Sequence, residues 1–143
     1  MAYFLVKTEP SDYGVEDLER ERRTVWDGVR NPQAVRFIAQ MRPRDWLLIY
    51  HSGTQAALVG LGRVVSWPRP DPADPRSQIV DIEFVRRLAR PVTLREIKES
   101  QLFSDWSLVR QPRLSVMPVP ERFVHWLRKE GLLDPAEEEG LRG

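Results

Sequence analysis

The chain has 143 residues, of which 41% are hydrophobic and 30% charged, with a formal charge of +1, and this balance predicts one globular domain with a single core. It contains no apolar run near membrane-spanning length and no signal peptide pattern, so we expect a cytoplasmic protein with no membrane partner. The absence of cysteine excludes disulfides, thiolate nucleophiles and cysteine-ligated zinc.

The charge is unevenly distributed along the chain. The last ten residues, DPAEEEGLRG, hold four acids and one base, which leaves 21 basic against 17 acidic residues, a net of +4, in 1–133. We therefore predict a folded domain over residues 1–133 and an acidic, disordered tail over 134–143. A surplus of this size is well below that of proteins that coat nucleic acid nonspecifically. Of the 22 basic residues 19 are arginine, which suits phosphate contacts, although a compositional bias of the genome explains the same count.

The first third of the chain predicts strands and helices in alternation. The apolar run YFLVK is typical of a strand and is followed by the turn-forming EPSDYG. VEDLERERR predicts a short exposed helix with acids in its first turn, and TVWDG predicts extended backbone. In GVRNPQAVRFIAQMRP, Asn31 is a favourable N-cap and Pro32 occupies the first helical position. These signals predict the clearest helix of the chain, which ends before Pro43.

The remainder of the chain predicts a curved sheet. WLLIYH is typical of a buried strand, and AALVGLGRVVSW predicts a long partner in which Gly60 and Gly62 indicate a bulge. After the proline-rich connection PRPDPADPR, the alternation in QIVDIEFVRRLA predicts a half-buried strand. Thr93 and Glu96 predict a capping box for a short helix, SVMPV predicts one more strand, and PERFVHWLRKEG predicts a last helix that stops at Gly131. Because no regular βαβ repeat is present, we predict an α+β fold with a curved sheet or small barrel flanked by helices.

Motifs for catalysis, metals and cofactors are missing from the sequence. His51 and His125 lie on separate predicted elements without metalloprotease spacing, and Ser52 lacks the G-x-S-x-G elbow of a hydrolase. The GLG triplet lacks the third glycine of a dinucleotide fingerprint, and no phosphate-binding loop motif occurs. We therefore predict no catalytic, cofactor or metal site and a non-enzymatic protein.

The octet TVWDGVRN has features of a binding site. Trp26 can stack on a planar ring beside Gly28, and Arg30 can reach a phosphate. Asn31 can read an amide edge, and a helix that begins there attracts anions. Each of these residues also has an ordinary structural interpretation: a core tryptophan, a solvated arginine and a helix N-cap. The residues alone leave both interpretations open.

A resemblance to a known family favours the binding interpretation. The segments FLVKTEPSDY, VWDGVRNPQA, MRPRDWLLIYHSG, VGLGRVV, PVTLREIK and LVRQPRLSVMPV occur in the order and context of the EVE domain. The EVE domain belongs to the PUA-like superfamily and is related to the YTH readers of methylated adenine. The resemblance covers nearly all of residues 3–130. This sequence departs from the usual family pattern at Gly14, where a capping serine is common, and at Arg44, where a turn glycine is usual.

The resemblance implies a PUA-like curved sheet with an aromatic pocket for a modified base. EVE domains are thought to sense modified cytosines in DNA or modified bases in RNA, so the implied partner is a modified nucleic acid. Trp26 would form a wall of the pocket, with the Val29 to Asn31 backbone, including Arg30, and the Asn31 side chain near the base edge. Further residues at family motif positions would line or flank the cavity: Lys7, Tyr13, His51, Ser52, Arg113 and Ser115.

Two other functions stay open at this stage. An enzyme acting on a small molecule or modified nucleoside would use His51 as acid or base, assisted by Ser52, Lys7 or Tyr13. A sensor would take a free nucleobase-like metabolite in the same pocket. The sequence does not specify the modification, the choice between DNA and RNA, a partner protein or nuclease, or the oligomeric state.

Overall fold

A computed structural model describes residues 1–140 of the chain. The strands are β1 (Tyr3–Thr8), β2 (Arg23–Trp26), β3 (Trp46–His51), β4 (Ala57–Val64), β5 (Arg69–Asp71), β6 (Asp74–Thr93) and β7 (Val116–Pro118). The helices are α1 (Val15–Glu21), α2 (Pro32–Ala39), α3 (Leu94–Ser100), α4 (Ser107–Arg110), α5 (Glu121–Lys129) and α6 (Pro135–Gly140). The α+β class predicted from the sequence is confirmed.

The strands form one mixed sheet in the order β2-β6-β4-β3-β1-β7, with β5 paired to the start of β6. Strands β1 and β3 pair in parallel, and the other neighbours are antiparallel. The apolar runs of β1 and β3 lie in the middle of the sheet and are almost entirely buried, which explains why their sequences are continuous rather than alternating. The sheet is open, since no pairing within residues 1–140 joins β2 to β7.

Glycines in β4 mark the places where the sheet bends. The registers of β4 with β3 and β6 shift around Gly60 and Gly62, as the sequence predicted. A Cβ atom at Gly60 would lie 2.9 Å from Val15 Cγ2, and one at Gly62 would lie 3.0 Å from the carbonyl oxygen of Glu83. Helix α1 and strand β6 therefore approach the β4 backbone more closely than a side chain permits.

Helix α2 begins as the sequence predicted but ends at Ala39, four residues before the predicted stop at Pro43. The Asn31 side chain accepts hydrogen bonds from the N–H groups of Gln33 and Ala34, at 2.9 and 3.1 Å, and Pro32 is the first helical residue. Just beyond the helix, Arg44 adopts a φ of 81°. This conformation favours glycine, which is the usual family residue at this position.

Two expectations about irregular segments differ from the structure. The predicted connection PRPDPADPR is a hairpin, because Pro70 lies in the short peripheral strand β5, where a missing N–H is tolerated, and β6 already begins at Asp74. The predicted disordered tail contains α6 over Pro135–Gly140. There the Glu137 carboxylate accepts hydrogen bonds from Arg86 Nε and Nη2 at 2.7 and 2.9 Å. Residues 141–143 of the predicted tail lie outside the described residues.

No helix within residues 1–140 is long and apolar enough to cross a membrane.

Candidate functional site

A small open cavity of about 270 Å³ lies where the end of β1, the segment before α1 and strand β2 meet. It is lined by Thr8, Tyr13, Thr24, Val25, Trp26 and Asp27. Two of these residues, Tyr13 and Trp26, belong to the set that the sequence singled out. The cavity is smaller than the roughly 300–1,000 Å³ of typical pockets for drug-sized ligands, so its size suits a single small ring system.

The Trp26 indole forms one wall of this cavity. Trp26 is the last residue of β2 and pairs with Val80 of β6, so its side chain faces the core and is 8% exposed. The Tyr13 ring stands nearly perpendicular to it, with an interplanar angle of 84° and 6.2 Å between ring centroids. The indole is thus mostly buried by the protein and also borders open space.

Hydrogen bonds fix the orientation of Tyr13. Its hydroxyl donates to Glu21 Oε1 at 2.9 Å, and the Thr8 hydroxyl donates to its backbone carbonyl at 2.7 Å. Burial raises the pKa of Tyr13 to about 12, and the Glu21 carboxylate contributes in the same direction, whereas the Thr24 side chain lowers it. Tyr13 is therefore a neutral, oriented ring at physiological pH.

The loop that follows Trp26 runs past the cavity to helix α2. Gly28 adopts a φ of 76°, and the buried Val29 offers its carbonyl oxygen to the Ser77 hydroxyl at 2.5 Å. Arg30 is exposed, and the Asn31 side-chain oxygen is used by the helix cap. Val29, Arg30 and Asn31 are not among the lining residues of this cavity, which places them beside the aromatic pair rather than against it.

A second, larger cavity of about 1,000 Å³ contains two other predicted residues, His51 and Ser52. Its further lining comes from the segment after β1, the start of α1, the β3–β4 loop and α3: Glu9, Pro10, Glu16, Thr54, Gln55, Ala56, Ala57, Val59, Pro91, Thr93, Leu94, Arg95, Lys98 and Glu99.

The functional groups of His51 and Ser52 are engaged in the fold. His51 Nε2 accepts a hydrogen bond from the N–H of Val15 at 3.0 Å, so the neutral imidazole carries its proton on Nδ1. The Ser52 hydroxyl and N–H both donate to the Thr8 carbonyl oxygen, at 3.3 and 2.9 Å. Together these bonds fix the first residue of α1 and the end of β3.

Lys7 lies within strand β1, Arg113 and Ser115 precede its neighbour β7, and none of the three lines either of these two cavities. Lys7 Nζ donates to the Pro112 carbonyl at 3.0 Å and lies 5.5 Å from the centre of the Tyr50 ring, and burial lowers the pKa of this lysine. The Ser115 carbonyl accepts from the Lys7 N–H at 2.8 Å. Arg113 is exposed and lies two residues before Ser115, so it is near the end of β1.

Four lining residues of the aromatic cavity were not predicted from the sequence: Thr8, Thr24, Val25 and Asp27. Thr24 lies two residues before Trp26 on the same face of β2, so the two-residue period of a strand would have found it. Thr8 and Asp27 directly follow Lys7 and Trp26. Their side chains reach the cavity because the sheet brings the ends of β1 and β2 together, and no local pattern encodes that approach.

An open mixed sheet flanked by helices, with an aromatic cavity beside its first strand, defines an α+β domain of the PUA-like class. The EVE domain family model matches residues 2–130, and this chain belongs to the EVE domain family.

Similar proteins of known sequence and structure are found in animals and bacteria. Thymocyte nuclear protein 1 of Mus musculus is 31% identical over 155 aligned residues, which cover 83% of this chain and 69% of the mouse protein. The crystal structure of protein Atu2648 from Agrobacterium tumefaciens matches with a TM-score of 0.86 and 33% identity, covering 94% of this chain and 97% of that one.

Two structures that contain nucleic acid share the fold at lower identity. The human THYN1 protein, solved in complex with 5-methylcytosine containing DNA, matches with a TM-score of 0.82 and 24% identity over 94% of this chain and 100% of that one. The YTH domain of Zygosaccharomyces rouxii MRB1, solved with N6-methyladenosine RNA, matches with a TM-score of 0.58 and 14% identity over 90% and 84% of the two chains.

Proposed function

We propose that this EVE domain binds a modified nucleobase of DNA or RNA in the cavity between Trp26 and Tyr13, and that it acts as a binding module rather than an enzyme. The observation that carries the proposal is the aromatic pair itself. An indole and a phenol stand at 84° to each other beside open space of about 270 Å³. A flat ring entering this space would stack on one aromatic side chain and meet the edge of the other.

The contacts in the pocket must offset the free energy that is lost when a base leaves its stack. Taking a base out of its stack costs a few kcal/mol, and stacking on one aromatic side chain returns about 1–3 kcal/mol per base. The remainder must come from hydrogen bonds to the base edge and from contacts to the phosphates. Arg30 and Arg113 are exposed: Arg30 follows β2, and Arg113 precedes the residues that pair with the end of β1, which suits them to hold the backbone on either side.

The relatives support a nucleic acid as the partner. The human protein with the same fold was solved with DNA containing 5-methylcytosine, and the YTH domain with RNA containing N6-methyladenosine. Both ligands carry one added methyl group. Discrimination of a single methyl group in an apolar site is limited to about 1–3 kcal/mol, so we expect modest selectivity for the modified over the unmodified base.

The geometry gives less support to the enzymatic alternative. A general base needs a free nitrogen, and the Nε2 atom of His51 is already accepting a hydrogen bond from Val15. The Ser52 hydroxyl donates to a backbone carbonyl rather than to a histidine. The sensor alternative is distinguished by salt, because a free metabolite without phosphates binds with little dependence on ionic strength.

The test is a binding screen with labelled single-stranded and duplex oligonucleotides of DNA and RNA, each with one modified cytosine or adenine. We expect a preference for at least one modification that is lost in Tyr13→Ala. Trp67→Ala is the matched control, because Trp67 is 66% exposed and lines neither cavity. Equal binding of modified and unmodified oligonucleotides in every context would refute the proposal.

Salt dependence measures the polymer contacts in the same assay. Affinity for the preferred oligonucleotide should fall with salt concentration, and Arg30→Ala and Arg113→Ala should each lower the slope of log K against log salt by about one. A slope near zero in the wild-type chain would favour the free-metabolite sensor instead.

A further inference from the structure

The polar side chains that line the aromatic cavity differ in whether the protein already uses them. The Thr8 hydroxyl donates to the Tyr13 carbonyl, and the Tyr13 hydroxyl donates to Glu21. The Thr24 side chain interacts with the Tyr13 hydroxyl. The Thr8 hydroxyl thus holds the Tyr13 backbone, and Thr24 and Glu21 hold the Tyr13 hydroxyl.

Asp27 is the exception among the lining side chains. It is exposed, and its carboxylate makes no hydrogen bond or ion pair with any other residue in the described part of the chain, 1–140. It directly follows Trp26, so it stands at the rim of the aromatic wall. The pairing of β2 with β6 ends at Trp26 and Val80, and Asp27 is the next residue after Trp26.

An ionised carboxylate is a hydrogen-bond acceptor only. At the edge of a stacked base it pairs with an exocyclic amino group, such as N4 of cytosine, and is repelled by a carbonyl oxygen at the same position. The N3–H of thymine is flanked on both sides by carbonyl oxygens, so a carboxylate approaching it meets that repulsion as well.

From this arrangement we infer that Asp27 determines the base class of the pocket: its carboxylate accepts a hydrogen bond from the exocyclic amino group of the bound base. The site then selects an amino-bearing base, such as 5-methylcytosine, over its keto counterpart thymine, which carries the same methyl group. This inference rests on the proposed function, because it requires a base in the Trp26 cavity.

The experiment compares single-stranded DNA oligonucleotides that carry 5-methylcytosine, thymine or an abasic site at one central position. Single strands are used because the central base is then unpaired, so no base pair has to be broken in any of the three oligonucleotides. We expect the wild-type chain to bind the 5-methylcytosine strand about 10-fold more tightly than the thymine strand, which is within the range of one good base-edge contact. Asp27→Asn should bring this ratio close to one, since an amide both donates and accepts.

Asp12→Asn is the matched control, because Asp12 is an exposed carboxylate on the neighbouring segment that does not line the cavity. It removes the same charge and should keep the wild-type ratio. A wild-type ratio of one, or an unchanged ratio in Asp27→Asn, would overturn the role of Asp27 while leaving base binding intact. If the wild-type chain binds all three strands equally, the base-binding proposal fails, and the role of Asp27 fails with it.

Discussion

Two cavities of this domain, one beside His51 and one beside Trp26, differ in size and in the chemistry of their walls. The larger, at about 1,000 Å³, contains a histidine and a serine whose polar atoms are used to fix α1 and the end of β3. The smaller, at about 270 Å³, has two aromatic walls and an unpaired carboxylate at its rim. Our proposal of the smaller cavity as the binding site therefore rests on its aromatic walls and not on its volume.

One segment of the chain contributes to both cavities. Thr8 and Tyr13 line the smaller, and Glu9 and Pro10, which lie between them in sequence, line the larger. The hydrogen bond from Val15 to His51 anchors the chain two residues after Tyr13. We infer that this hydrogen bond to His51 helps to hold Tyr13 in position at the smaller cavity.

The largest expected effect comes from Trp26→Ala. Truncating a buried tryptophan costs about 3–5 kcal/mol of unfolding free energy, and removal of the stacking wall should abolish the preference for the modified base. Denaturant unfolding and oligonucleotide binding measure the two effects. Trp26→Phe keeps a ring in place and separates loss of binding from loss of folding.

A substitution in the larger cavity serves as the comparison for Trp26→Ala. Thr54 is exposed and lines the larger cavity, so Thr54→Ala should change stability by no more than about 0.5 kcal/mol and leave binding unchanged. If Thr54→Ala abolished binding and Trp26→Phe did not, the functional assignments of the two cavities would have to be exchanged.

A smaller effect is expected for His51→Leu. Without the imidazole, the part-buried N–H of Val15 loses its acceptor, which costs about 1–3 kcal/mol. Affinity for the preferred oligonucleotide, measured where the variant is folded, should change less than about threefold, because His51 lines only the larger cavity. Normal stability with lost affinity would mean that His51 contacts the ligand.

A pH-dependent effect is expected from the ionisation of Tyr13. Its pKa is raised from 10.0 to about 12 in the folded chain, so folding favours the neutral phenol. The stabilising contribution is fully present below pH 10 and is lost as the pH rises from 10 towards 12. Thermal unfolding across this window should show a steeper loss of stability for the wild-type chain than for Tyr13→Phe. Identical profiles would mean that the Tyr13 phenol titrates normally.

The sequence by itself determined the features that depend on neighbouring residues. The α2 cap at Asn31 and Pro32 followed from local hydrogen bonding and fixed φ angles, and the bulges at Gly60 and Gly62 followed from missing side chains. The family motifs added the expectation of an aromatic pocket and identified Trp26 and Tyr13 as candidate residues. Local patterns failed for PRPDPADPR, because pairing with the start of β6, between Asp74 and Ile79, made the segment a hairpin.

Only the tertiary structure decided which candidate residues meet. Tyr13 and Trp26 lie on segments that come together at the ends of β1 and β2, and they line a different cavity from His51 and Ser52. The tertiary structure also decided which polar groups remain free. The Thr8 and Tyr13 hydroxyls donate to groups five and eight residues away, and His51 accepts from Val15, 36 residues away. Asp27 has no partner in residues 1–140. No local sequence pattern shows which of these polar groups the fold uses and which it leaves free.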